Sequence, residues 1–139
     1  MSRKISEHRR RLQRGGEIVE GATTFLVFFV MLFGFIDFCR IIWTYHQIAF
    51  GAREATRYAM VHGSSSGNQA TVSQIQSIVT NRVFCVIASN LSTTVTFSPN
   101  QGPSSTVKVA VTYSFYPIAP FFPGRAIQLA STSQMIISQ

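Results

Sequence analysis

The sequence predicts an α+β membrane protein, with a long amino-terminal transmembrane helix extending outward, a second short helix and a small antiparallel β-meander. Three observations predict it. A charge-free apolar run follows directly on a basic amino-terminal segment. Helical patterning continues beyond that run, and near residue 90 the apolar period changes from helical to two.

The 139 residues suffice for one domain of modest size. Their formal net charge of +7 is unevenly spread. Arg3, Lys4, Arg9, Arg10, Arg11 and Arg14, six of the twelve cations, lie in the first fourteen positions, opposed there only by Glu7. Without residues 1–15 the remainder carries +2. The charge is therefore read as a property of the leader and not of a folded basic surface, which argues against nucleic acid as a partner.

Residues 1–15 are expected to be a disordered cytoplasmic leader. Gly21 to Ile36 are sixteen positions without a charge. A helix needs about 20 residues to cross a hydrocarbon core of about 30 Å, so the span is placed at about residues 21–40. That placement requires Arg40 to snorkel outward with Asp37, three positions earlier, on the same helical face. Trp43 and Tyr45 then fall in the interfacial region. The basic cluster on the amino side orients the span with its amino end in the cytoplasm. A removable secretory signal fits poorly: the apolar run is too long, and no small-x-small cleavage site follows it closely. Cys39, after Asp37-Phe38, is a poor lipid-attachment context.

Helical patterning runs on to His62, with Gly63 as the stop. Ile48, Ala52, Ala55 and Ala59 form an apolar stripe of mostly small residues, suited to close approach by a helix or sheet. The long helix is thus expected over 16–62, roughly 70 Å at 1.5 Å per residue. Ser64 to Gln69 form a turn. Val72, Ile75, Val79 and Val83 predict a second helix over about Thr71–Val86. Thr93–Phe97 reads as a strand, Ser98–Pro103 as a turn, and Thr106–Tyr116 as the best strand in the chain. Residues 117–124 form an apolar loop, and Ile127–Ile137 a closing strand. Residues 63–139 are therefore read as an extracytoplasmic α+β domain, whose small sheet requires a helix across one face.

Groups for chemistry are scarce. No Asp or Glu follows Glu54, and no His follows His62. Carboxylate pairs, a Ser-His-Asp triad and a His or carboxylate metal site lack their parts outside the membrane. No glycine loop suits a phosphate. No catalytic residue, metal site or cofactor is predicted, and the protein is not expected to be an enzyme. The two cysteines, Cys39 and Cys85, could pair in an oxidising compartment. Because Cys39 falls at the membrane boundary, buried free thiols are expected instead.

Arg14-Gly15-Gly16-Glu17-Ile18-Val19-Glu20-Gly21 places a carboxylate where the apolar span begins. On its own this is an acid favoured by a helix amino-terminal dipole. A basic leader, a Gly and then a Glu at the fifth position also resemble a type IV prepilin processing site. The resemblance implies a cut between Gly15 and Gly16, making Glu20 the fifth mature residue. It also implies that Glu20 pairs with a neighbouring subunit's terminal amine. Gly16 at the first mature position and Gly21 at the sixth depart from the usual pattern.

Phe35-Ile-Asp37-Phe-Cys-Arg40, followed by Gly51-Ala-Arg-Glu-Ala-Thr-Arg-Tyr-Ala59, resembles the TadE-like pilus assembly family. Val19-Glu20, Asp37, Arg40, Arg53, Glu54, Arg57, Tyr58 and Ala59 match its pattern, while Cys39 stands where Gly is usual. The resemblance covers about residues 14–63. It implies a type IV pilin-like fold and a minor pilin or pseudopilin that assists a tight-adherence pilus at the bacterial inner membrane. The implied partners are other pilins and pilus assembly subunits, a prepilin peptidase and the lipid bilayer. The alternative is a membrane-anchored extracytoplasmic binding or structural protein unrelated to pili. Arg53, Glu54 and Arg57 share a helical face, read either as a solvated ion pair worth a few tenths of a kcal/mol or as a docking face.

Overall fold

The computed structural model describes residues 2–84, 86–118 and 124–138, with side chains from Gly15 onward. The order is α1 (Ser2–Val61), α2 (Val72–Arg82), a short 3-10 turn (Ala88–Asn90), β1 (Leu91–Ser98), β2 (Thr106–Phe115) and β3 (Ile127–Ile136). By internal packing the chain divides into two units, Met1–Phe38 and Cys39–Gln139.

Helix α1 starts at Ser2, where a disordered leader was expected. The first fourteen residues are rich in Arg, Lys, Leu, Gln and Glu, all good helix formers, and the first proline of the chain is Pro99. Gly15 and Gly16 each cost about 1 kcal/mol relative to Ala in a helix interior, yet they do not interrupt it. In the first unit nearly all the apolar side chains are exposed. Phe25 is 65% exposed and Met31 71%, and Leu26, Phe28 and Phe35 are similarly open. The hydroxyls of Thr23 and Thr24 donate to the carbonyls of Val19 and Glu20, each at 2.9 Å, so neither needs water. Among the described residues α1 is the helix long and apolar enough to cross a membrane, and almost none of its apolar stretch is buried within the molecule. A helix apolar all round and unburied requires an apolar surround, which lipid provides.

In the second unit the predicted stripe does what its small residues permit. Ile48, Ala52, Ala55 and Ala59 are fully or almost fully buried in one cluster with Ile75 and Val79 of α2 and Val107, Val109 and Val111 of β2. Gly51 lies on the same side. A Cβ there would sit 2.8 Å from Val83 Cγ2 and 3.5 Å from Val79 Cγ1. Only a residue without a side chain lets α1 approach α2 this closely. Thr56 is also fully buried, and its hydroxyl donates 2.7 Å to the Ala52 carbonyl.

Helix α2 is set by its ends. Thr71 accepts from the Gln74 amide and donates its own amide to the Gln74 side chain, a complete capping box. Val83 leaves the helix in an extended conformation and turns into the core, so α2 stops at Arg82 and not near Val86. Ile75, Val79 and Val83 are buried as their spacing predicts, whereas Val72, in the first turn, is 43% exposed.

The three strands form an antiparallel meander in the order β1-β2-β3. Central β2 buries Val107, Val109, Val111, Tyr113 and Phe115, alternating with Lys108, Ala110, Thr112 and Ser114. Val109 stands opposite Val95 and Ser133, and Tyr113 opposite Leu91 and Leu129. The Gln76 side chain donates to the Thr93 carbonyl at 3.0 Å and ties α2 to β1. Part of the apolar loop at 117–124 (residues 119–123) lies outside the described residues.

The Gly51 contact makes a sign-changing prediction. Gly51→Ala should lower stability by about 1–3 kcal/mol through overpacking, measured by thermal melts of the detergent-solubilised protein. In a Val83→Ala background the clash disappears, and the same change should be neutral or stabilising by up to about 1 kcal/mol, the helix propensity of Ala over Gly.

Candidate functional site

The end of α1 is fixed from three directions. The Ser138 amide donates to the Met60 carbonyl at 3.2 Å, Ala70 to that of His62 at 2.9 Å, and Ser64 to that of Gln101 at 2.9 Å. The turn before β2 is held in its own right by Asn100, whose Oδ1 accepts from the Gly102 amide at 2.9 Å and the Ser105 hydroxyl at 2.6 Å. These bonds anchor the end of α1 and the turn after it, beside a groove lined by residues of α1 and α2.

The groove has a volume of about 640 Å³ and is lined by Glu54, Arg57, Tyr58, Met60, Val61, His62, Ile78, Asn81 and Arg82. Tyr58 and His62, four apart, stack with ring centroids 4.1 Å apart and planes at 21°. Nδ1 of His62 lies 3.0 Å from the Tyr58 carbonyl, which fixes the imidazole against the helix. Glu54 Oε1 lies 3.8 Å from Arg82 Nη2. Both partners are substantially exposed, so the pair contributes little stability by itself. Its consequence is positional, since it bridges α1 and α2 at the groove.

The charged triplet is thus divided. Glu54 turns to Arg82 of α2, a partner that spacing along α1 could not reveal. Arg57 lines the groove, while Arg53 is exposed and does not line it. Arg40 is half-buried, with its guanidinium carbon 5.0 Å from the centroid of the Phe115 ring. That cation–π contact is worth about 0.5–2 kcal/mol depending on desolvation. The period-two pattern of β2 indicated an inward Phe115, but not which cation would cover it. Asp37 is buried, 6% exposed. Gly15, Gly16 and Glu20 are exposed on α1. Cys39 is a free and exposed thiol, not a buried one, and Cys85 lies outside the described residues.

The unit from Cys39 onward is basic in its own right, contrary to the expectation that the charge belongs to the leader alone. Glu17, Glu20 and Asp37 lie between residue 15 and Cys39, and they mask the charge beyond it. From Cys39 onward Arg40, Arg53, Arg57, Arg82, Lys108 and Arg125 face a single carboxylate, Glu54, a net of +5. The unit boundary falls after Phe38, so Glu17, Glu20 and Asp37 belong to the first unit.

Fold and composition together define a class: an α+β domain built on an apolar helix of membrane-spanning length. Residues 15–57 match the family model of the TadE-like proteins, the family that the motifs in residues 14–63 resemble. The match takes in Gly15, Gly16, Glu20, Asp37, Arg40, Arg53, Glu54 and Arg57, and the α2 and sheet region lies beyond it. Comparison with curated proteins and with solved structures gave no match.

Because the Glu54–Arg82 pair is open to water, Arg82→Ala should change unfolding free energy by less than about 1 kcal/mol. Ala55→Leu, which forces a large side chain into a fully buried site, should cost about 1–3 kcal/mol or more. Chemical denaturation of the two variants side by side checks that order; an equal loss would contradict the assignment of stability to the small-residue stripe.

Proposed function

We propose that this protein is a minor pilin or pseudopilin that assists assembly of a tight-adherence pilus, working by helix packing and charge pairing and not by catalysis. The observation that carries the reading is the family match over residues 15–57, which supports a part in pilus assembly. In this reading the α1 span lies in the inner membrane, the basic leader is cytoplasmic, and the unit from Cys39 onward is outside. Prepilin peptidase cuts between Gly15 and Gly16, and Glu20 becomes the fifth residue of the mature chain.

The physical case rests on Glu20. Its carboxylate is exposed on the surface of a helix whose following residues are almost all apolar. An ionised group within a bilayer is costly unless paired. Cleavage at Gly16 creates an ammonium group close in sequence to that acid, and one subunit's ammonium can meet the next subunit's Glu20. The pairing fixes the axial register between neighbouring helices, while bare apolar faces supply packing area. Asp37, Arg40 and Arg53 match the family pattern at the outer part of the helix, and Arg40 secures it to the sheet through Phe115.

Mass spectrometry of protein extracted from membranes should find Gly16 as the amino terminus; an intact Met1 or Ser2 in cells with active prepilin peptidase would favour a plain anchor unrelated to pili. Glu20→Gln should sharply reduce the number of pili seen by electron microscopy while the membrane-inserted amount stays the same. Unchanged piliation would remove the register role.

A further inference from the structure

The groove between the end of α1 and α2 is cationic, half apolar and not absorbed by the assembly role of the membrane helix. Arg57, an exposed residue, lines it, and among the described residues the ion pair formed there is between Arg82 and Glu54. At 3.8 Å that pair is longer than a hydrogen bond, so Arg82 retains donors for another acceptor. Each guanidinium offers several N–H donors in a planar fork suited to a carboxylate. Beside them lie Met60, Ile78 and the stacked Tyr58 ring.

We propose that this groove docks an acidic–aliphatic peptide segment of a different envelope protein, with a carboxylate held by Arg57 and Arg82 and a neighbouring aliphatic side chain laid on Tyr58, Met60 and Ile78. Its size favours a peptide over a small ion: about 640 Å³ falls within the roughly 300–1,000 Å³ of organic-ligand sites, and a small anion would leave the apolar wall uncovered. Charge argues against a second copy of this domain. From Cys39 onward it carries one carboxylate, Glu54, already engaged with Arg82. A bilayer headgroup is also disfavoured. Arg57 is seventeen residues beyond Arg40, where the apolar span ends, about 25 Å along the helix at 1.5 Å per residue and well past a Debye length of about 8 Å. The inference depends on the groove and stands whether or not the leader is cleaved.

The test uses the full chain in phosphatidylcholine nanodiscs and a fluorescein-labelled hexapeptide of alternating Glu and Leu, read by anisotropy. Saturable binding is expected, weakened at least about tenfold when Gln replaces Glu in the peptide or in the Arg57→Ala variant. Arg57→Glu should transfer preference to the corresponding Lys–Leu peptide, whereas Arg125→Ala, outside the groove, should bind as the parent does. Any of four results would overturn the proposal: no saturable binding, equal binding of the Gln peptide, equal loss with Arg125→Ala, or no transfer of preference with Arg57→Glu. Binding to phosphatidylglycerol vesicles that Arg57→Ala abolishes would assign the groove to lipid instead. Self-association of the nanodisc protein that Arg57→Ala abolishes would assign it to a second copy.

Discussion

The contact on which the second unit depends is the close approach of α1 to α2 at Gly51. With Val83 Cγ2 only 2.8 Å from where a Cβ would stand, the two helices meet almost backbone to side chain. Ala52, Ala55 and Ala59 extend the same low relief, and β2 fills the remaining space with Val107, Val109 and Val111. Packing at native density leaves no slack for a longer side chain in such a stripe. That closeness fixes how near α2 lies to α1, and the Gln76 side chain ties the same helix to β1.

Charge placement follows a different rule from packing. The unit from Cys39 onward has six cations and one acid. Its acid links α1 to α2 through Arg82, at little stabilising value, and leaves Arg57 directed at the groove. Arg57 and Arg82 are the cations on which the proposed docking of an acidic peptide rests. Arg40, by contrast, finds a partner within its unit in the Phe115 ring, which suits a cation at the edge of an apolar span. Two cations nearly five turns apart thus serve opposite ends: one fastens the helix to the sheet, the other lines the groove.

The fold was largely legible because its signals are local or periodic. The unbroken apolar run, the four-three-four stripe and the alternation of β2 each state what is buried before any neighbour is known. The extent of α1 was read less well. Its first turns are helical where charge suggested disorder, since helix propensity of Arg, Lys, Leu and Gln outlasts two glycines. The end of α2 was set too late because Val83 continues the apolar spacing while its backbone has already left the helix. The candidate site was legible only in part. Glu54 and Arg57 could be named, but Arg82 is on another element, and the Tyr58–His62 stack draws notice only once the groove beside it exists.

The sequence by itself determined the apolar span, the basic segment before it, the small-residue stripe and the order of two helices and three strands. Those properties reside in composition and period, which neighbours do not alter. Tertiary structure decided which charge Glu54 meets, which ring lies under Arg40 and which two of the domain's cations, Arg57 and Arg82, line one groove. Each of these joins residues far apart in the chain. Distances of a few ångströms across separate elements are set by how the core closes, and spacing along one helix carries no record of them.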